Sequence, residues 1–213
     1  MEQSFWQERW QQGQIGFNEG KPNDFLVKYK DKFGKPPKRT LVPLAGKAFD
    51  LRWLAELGHD VVGVEFVPEA IASFFKEWGE KPTAHRLGAH DAFYAKGVTL
   101  VEADIFAVTP QTLNTFDIIY DRAALVALKP SDRTRYAAGM RALLKAGGGI
   151  FMIAFSYDPR KANGPPWSVD EAMVRELYEG MTLERLDQRL LPGNLRMQEA
   201  GVSSITETAY WIA

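Results

Sequence analysis

The run Leu41-Val42-Pro43-Leu44-Ala45-Gly46-Lys47-Ala48-Phe49-Asp50, followed one helix later by Val61-Val62-Gly63-Val64-Glu65, constrains this chain more than any other feature. An apolar strand, a tight turn at a glycine, a helix and a second apolar strand ending in an acid form a βαβ unit. Such a crossover sets the two strands parallel in one sheet, with the helix packed on its face. A carboxylate at the carboxyl end of the second strand can accept both hydroxyls of a ribose. The unit lacks a phosphate grip. A dinucleotide fold uses G-x-G-x-x-G so that backbone amides close on a pyrophosphate, whereas Gly46 stands without glycine neighbours in its turn. The ligand this unit suits is a nucleoside without phosphates, of which S-adenosylmethionine is the commonest.

The alternation of strand and helix continues beyond the unit. The pattern predicts strands at Thr40 to Pro43 and Asp60 to Phe66, a helix from Ala48 to Leu57 closed by Gly58, and a helix opened by Pro68 with Ile71, Phe74, Phe75 and Trp78 on its apolar side. Two short runs between Ala92 and Asp104, joined across Gly97, predict a hairpin feeding the third strand. The almost wholly apolar Phe116 to Tyr120 reads as a strand buried on both faces. A helix from Ser131 to Lys145 then meets Gly147-Gly148-Gly149, read as a tight helix-to-strand turn before Ile150 to Tyr157. After a ten-residue loop rich in proline and glycine and a helix from Val169 to Tyr178, Met181 to Leu190 and Ser203 to Ile212 predict an antiparallel pair that closes the sheet.

Before the first strand, Trp6 and Trp10 share one face of a short helix, and a second helix runs from Asn23 toward Lys32. Residues 1–38 are too short to bury a core alone, so they are read as a helical cover on a single α/β domain spanning residues 1–213.

Composition narrows the chemistry. With 26 basic and 27 acidic residues the formal charge is -1, which gives no electrostatic reason for a nucleic-acid or membrane-surface partner. The chain has no cysteine, which excludes disulfides, thiolate metal sites and a cysteine nucleophile. His59, His85 and His90 do not share a metal-ligand spacing on a helix, so no metal is expected. Neither an amino-terminal signal pattern nor an apolar run long enough to span a bilayer is present, and a soluble cytoplasmic protein, acting as a monomer on small molecules, is the expectation.

In an open α/β sheet, ligands bind beyond the carboxyl ends of the strands, near the point where strand order reverses. The residues at those ends are Leu44 to Gly46, Glu65, Asp104-Ile105-Phe106, Asp121-Arg122 and Tyr157-Asp158. Taken singly, Gly46 could serve a turn, Glu65 a solvated strand end and Asp104 a helix cap. As a set they outline one pocket.

Six colinear runs carry a resemblance: Phe5-Trp6-Gln7-Glu8-Arg9-Trp10, Ile15-Gly16-Phe17, residues 41–47, residues 58–65, Tyr120-Asp121-Arg122-Ala123-Ala124-Leu125, and Gly164-Pro165-Pro166-Trp167-Ser168-Val169. In order, from residue 5 to about residue 212, the chain resembles the thiopurine S-methyltransferase family. The resemblance implies a Rossmann-like class I methyltransferase fold: a mostly parallel seven-stranded sheet with an antiparallel C-terminal strand and helices on both faces. It also implies S-adenosylmethionine as cofactor and methylation of sulfur in a small, aromatic or heterocyclic thiol, with some members acting on selenium or tellurium compounds. By matching position, Glu65 would hold the ribose hydroxyls, Leu44 and Gly46 would back the methionine moiety, and Asp104 with Ile105 would border the adenine. Trp10, with Trp6 beside it, would close over the cofactor, and Arg122 would lie between cofactor and substrate. Phe17, Pro165, Pro166 and Trp167 would wall the acceptor pocket.

Two positions leave the family pattern: Ala45 stands where a cysteine is usual, and Trp167 where a phenylalanine is usual. The first exchange is small for small, whereas the second would narrow the acceptor pocket. Methyl transfer from a sulfonium to a thiolate cancels opposite charges, so alignment in a water-poor pocket favours it. If the acceptor thiol is not already acidic, Asp121 or Asp158 is a candidate proton acceptor. The rival readings are a methyltransferase for halide, thiocyanate, selenium or tellurium species, and a non-catalytic S-adenosylmethionine-binding module.

Overall fold

A computed structural model describes residues 3–15 and 18–213. The amino-terminal part contributes α1 (Gln3–Gln11) and α2 (Asp24–Lys28), then a 3-10 turn over Lys30–Phe33. The βα succession follows as β1 (Arg39–Pro43), α3 (Phe49–Glu56), β2 (Asp60–Glu65) and α4 (Pro68–Trp78). Next come β3 (Thr83–Leu87), β4 (His90–Ala95), β5 (Val98–Glu102), the short α5 (Pro110–Leu113) and β6 (Phe116–Arg122). The chain finishes with α6 (Pro130–Leu143), β7 (Leu144–Ser156), α7 (Glu171–Leu177), β8 (Leu183–Pro192), α8 (Leu195–Glu199) and β9 (Ser204–Ile212).

The strands form one sheet in the order β3-β4-β5-β2-β1-β6-β7-β9-β8. Its five central strands, β5 to β7 across the sheet, run parallel. Both margins are antiparallel, β4 and β3 beyond β5, and β9 and β8 beyond β7. The seven-stranded expectation is corrected to nine. The excess lies in the β3–β4 hairpin, whose first strand has the pattern exposed at four of five positions and so gives no apolar alternation to read.

Successive crossovers carry the chain from β1 outward through β2 to β5, after which β6 returns to the other side of β1. The strand order therefore reverses between β1 and β6, whose register pairs Leu41 with Ile119. Alternate residues divide between two cores, with Leu41, Ile119 and Ile150 on one face and Val42, Tyr120 and Phe151 on the other. This two-sided burial makes the central strands read as continuous apolar runs.

The second face is where the amino-terminal segment lies. Phe25, Leu26 and Phe33 are buried there, and the Phe33 ring sits 6.2 Å from that of Tyr120 and 5.6 Å from that of Phe151. Each such side chain contributes about 2 kcal/mol of burial. Polar ties fix the segment to β8: the Tyr29 hydroxyl donates to the Leu186 carbonyl at 2.8 Å, and Arg189 pairs with Asp24 at 2.8 Å. The predicted helix from Asn23 to Lys32 stops earlier, at Lys28, and tightens into the 3-10 turn that delivers Phe33 to the core.

The glycine triplet also differs from expectation. β7 begins at Leu144, so Gly147 to Gly149 lie inside the strand, at a register shift opposite β6. A Cβ on Gly149 would stand 2.1 Å from the Trp211 indole, so the triplet lets β9 pack its tryptophan across the strand start. Among the described residues no helix is long and apolar enough to cross a membrane.

Candidate active site

The turn after β1 is built against the end of β2. The Ala45 amide donates to the Val64 carbonyl at 3.0 Å, and the Gly46 amide donates to Glu65 Oε2 at 2.8 Å. Glu65 Oε1 accepts from the Val67 amide, also at 2.8 Å. The carboxylate is only 5% exposed, and burial pushes its pKa up while the amides of Val67, Gly46 and Phe66 pull it down. A carboxylate offers about four lone-pair directions. The Gly46 amide ties one oxygen to the turn after β1 and the Val67 amide ties the other to the start of α4.

Backbone strain marks the same place. Leu44 has φ +48° and Ala123 φ +62°, both left-handed conformations for residues with a Cβ. They follow β1 and β6, the two strands between which the order reverses. Gly46 is left-handed as well, at φ +53°, and a Cβ there would stand 3.3 Å from Asn18 Oδ1 and 3.4 Å from Trp10 Cζ2. The amino-terminal segment thus closes on the turn. Asn18 Oδ1 also accepts the Lys47 amide at 3.3 Å.

Trp10, half-buried on α1, is the expected covering residue brought to Gly46. Trp6, one turn earlier, stacks edge-on against Phe5 at 5.3 Å. Phe17 lies outside the described residues. On the far side of Glu65, the Ala103 amide donates to the Glu65 carbonyl at 3.0 Å, which sets the chain leaving β5 alongside β2. Asp104 Oδ1 there accepts the Phe106 amide at 3.0 Å, and Ile105 is buried. Leu44, Gly46, Glu65, Asp104, Ile105 and Trp10 are thereby joined through one set of strand ends.

Arg122 ends β6 with its side chain 10% exposed, and its Nη2 donates to Glu19 Oε1 at 2.5 Å. Beneath it lies a buried polar network. Asp50 Oδ1 accepts the Asn23 amide at 2.7 Å, and Asp50 Oδ2 accepts the Tyr120 hydroxyl at 3.0 Å. Burial raises the Asp50 pKa, and the Arg122 guanidinium, the Asn23 amide and the Tyr120 hydroxyl act against that. Burial also raises the pKa of the nearby Glu207, which Arg189 holds at 2.5 Å.

Asp121 points to the opposite face of β6. Its side chain is fully buried, with Oδ2 accepting the Tyr136 hydroxyl at 2.8 Å and Oδ1 the Leu125 amide at 3.2 Å. As placed, it anchors α6 and the 3-10 turn after β6. Burial lifts its pKa from 3.8 to about 6, against the pull of Tyr136 and the Leu125 and Ala124 amides. The folded state then holds this proton more tightly than the unfolded chain, so the stability contributed by Asp121 falls as pH rises from about 4 to about 6, by up to ~3 kcal/mol. Asp121→Asn should remove that share, measured as a flatter pH dependence of urea unfolding across this window. Equal slopes for parent and variant would contradict the assignment. Asp158, the other candidate proton acceptor, is paired with Arg160 at 2.9 Å, and those hydrogen bonds hold its pKa down at about 2. A carboxyl so acidic is a weak base near neutral pH.

The loop after β7 is tied back to the 3-10 turn that follows β6. The Trp167 amide donates to the Val126 carbonyl at 2.7 Å, and the Tyr157 hydroxyl donates to the Pro166 carbonyl at 2.8 Å. Pro165 and Pro166 line a cavity of about 280 Å³ that Lys161, Asn194, Arg196 and Met197 help to enclose. Trp167 instead lays its indole over Gly164, where a Cβ would stand 2.4 Å from its Cγ. Glu19, Asp50 and Arg196 are the charged residues here that strand-end reasoning passes over. Asp50 reads as an ordinary first-turn acid of α3, and Arg196 as an exposed helix cation.

The sequence profile of the thiopurine S-methyltransferase family matches residues 1–213. This chain belongs to that family. Two relatives called thiopurine S-methyltransferase illustrate the closeness. The protein of Pseudomonas paraeruginosa is 37% identical over 213 residues, covering 99% of this chain and 98% of its own. That of Xanthobacter autotrophicus is 40% identical over 208 residues, covering 96% of this chain and 97% of its own. Among solved structures, Burkholderia thailandensis 1,6-didemethyltoxoflavin-N1-methyltransferase, with bound 1,6-didemethyltoxoflavin and S-adenosylhomocysteine, has a TM-score of 0.63 at 19% identity, covering 97% of this chain and 85% of that one. The fold is that of class I methyltransferases. In this member of the thiopurine S-methyltransferase family the sheet includes the β3–β4 hairpin at one margin, and Ala45 in the turn after β1 is buried with its amide bonded across to β2.

Proposed function

We propose that this chain transfers the methyl group of S-adenosylmethionine to the sulfur of a small aromatic or heterocyclic thiol. The observation that carries the reading is Glu65: a buried carboxylate at the end of β2, held by two backbone amides with acceptor capacity left, beside the left-handed Gly46 and the Trp10 ring. This donor and acceptor set fits a nucleoside without phosphates. Glu65 would take the ribose hydroxyls, the Leu44–Gly46 turn would leave room for the amino-acid part, and Asp104 with Ile105 would flank the base. When bound, the cofactor supplies a methyl carbon that the thiolate sulfur attacks, the old carbon–sulfur bond leaving its electron pair on the sulfonium, so the products are a methyl thioether and S-adenosylhomocysteine.

The chain's own part is alignment and exclusion of water. Trp10 would cover the cofactor side, and Pro165 and Pro166 would wall the acceptor, with Arg196 and Lys161 at the same cavity. Asp121 is enclosed and Asp158 is too acidic, so the thiol proton goes to solvent before transfer. An aromatic thiol, acidic enough to ionise near neutral pH, needs no enzyme base.

The test is an acceptor screen with purified protein, read as S-adenosylhomocysteine release. Turnover with aromatic thiols is expected. Turnover confined to halide, thiocyanate, selenite or tellurite would replace the thiol with one of those acceptors, and cofactor binding without any turnover would reduce the chain to a binding module.

A further inference from the structure

Arg122 stands at the carboxyl end of β6, at the reversal of strand order, where an α/β sheet receives its ligands. A planar guanidinium in that place would ordinarily serve as a two-point receptor for a carboxylate. Here its surroundings are already acidic. Asp50 is 2% exposed below it and Glu207 is 1% exposed nearby, held by Arg189. Glu19, 38% exposed and so on the open side, takes Arg122 Nη2 at 2.5 Å. All three carboxyl groups act on the Arg122 guanidinium, and Glu19 meets it directly. A second carboxylate brought to Arg122 would have to displace Glu19 or sit beside it, and either is unfavourable.

We infer that Glu19 sets the charge preference for the methyl acceptor: by neutralising Arg122 from the open side, it makes the site favour aromatic thiols without a carboxylate over those bearing one. This rests on the thiol-methylation reading above. Specificity then arises partly from repulsion within the site, and one side chain controls it.

Two acceptors of nearly equal size, 4-mercaptobenzoate and 4-mercaptobenzamide, isolate the charge. Their kcat/KM ratio is compared in the parent protein, Glu19→Gln and Glu19→Asp, alongside calorimetric Kd values for benzoate and benzamide with S-adenosylhomocysteine present. Glu19→Gln should move both ratios toward the carboxylate by about tenfold. Glu19→Asp, which keeps the charge, should stay near the parent ratios. The inference is overturned if Glu19→Gln shifts neither ratio by more than about twofold, or if Glu19→Asp shifts them as far as Glu19→Gln does. Should none of the three proteins methylate either thiol, the thiol reading fails, and the benzoate-to-benzamide binding ratio still decides the role of Glu19.

Discussion

Glu65→Ala is expected to weaken binding of S-adenosylhomocysteine on the order of 100-fold, because two hydrogen bonds from hydroxyls to a charged acceptor are lost together. The same substitution strips the Gly46 and Val67 amides of their buried acceptor, so a stability loss of about 2 kcal/mol should accompany it. The two effects separate experimentally. Calorimetry well below the unfolding transition gives the affinity, and urea unfolding gives the stability. Glu65→Gln, which keeps one carbonyl acceptor, should fall between parent and alanine in both. An affinity within about threefold of the parent, in a folded Glu65→Ala variant, would remove the ribose from this carboxylate.

The second large effect concerns Asp50. Its two oxygens hold the Asn23 amide and the Tyr120 hydroxyl, joining the amino-terminal segment, α3 and β6 at one buried point beside Arg122. Asp50→Ala leaves both donors buried without that acceptor and takes away part of the charge compensation of Arg122. The expected cost is about 4 kcal/mol, within the range for breaking a buried charged network. Urea unfolding measures it directly. Since Asn23 precedes α2, the segment that carries Asn18 and Glu19 should loosen with it, which limited proteolysis of the folded variant would detect as new cleavage near residues 18–24. A cost below about 1 kcal/mol, with no new cleavage, would contradict the view that this network docks the cover.

How far the sequence leads differs between backbone and side chains. The βαβ pattern from Leu41 to Glu65 was legible because burial on both faces imposes continuous apolar strands, and because Gly58 and Pro68 bound the helices. The hairpin across Gly97 was legible for the same kind of reason. The strand β3 was not, since an exposed edge strand such as Thr83–Leu87 carries no hydrophobic period. Gly147 to Gly149 misled as a turn because the packing of Trp211 against Gly149 is a long-range contact that no local pattern announces.

The strand-end rule collected Leu44, Gly46, Glu65, Asp104, Ile105 and Arg122 as one group because topology alone brings them together. Burial and partner choice lie beyond such a rule. Asp121 and Arg122 are neighbours in sequence, yet the period of a strand turns one into the core against Tyr136 and the other toward Glu19. The strand-end rule offered Asp121 as a candidate proton acceptor without showing that its side chain is enclosed, with the Tyr136 hydroxyl and the Leu125 amide as its partners. Glu19 lay in a stretch without strand or helix pattern, and only the docking of the amino-terminal segment sets it against β6.

The central claim, transfer of a cofactor methyl to acceptor sulfur, is tested most directly by following the methyl group itself. S-adenosylmethionine carrying a deuterated methyl is incubated with the protein and 4-mercaptobenzamide, and the product is analysed by mass spectrometry and by NMR of the methyl-bearing atom. The account predicts the intact labelled methyl on sulfur, in one-to-one amount with S-adenosylhomocysteine. Label on the amide nitrogen, or S-adenosylhomocysteine formed with no labelled thioether, would contradict it.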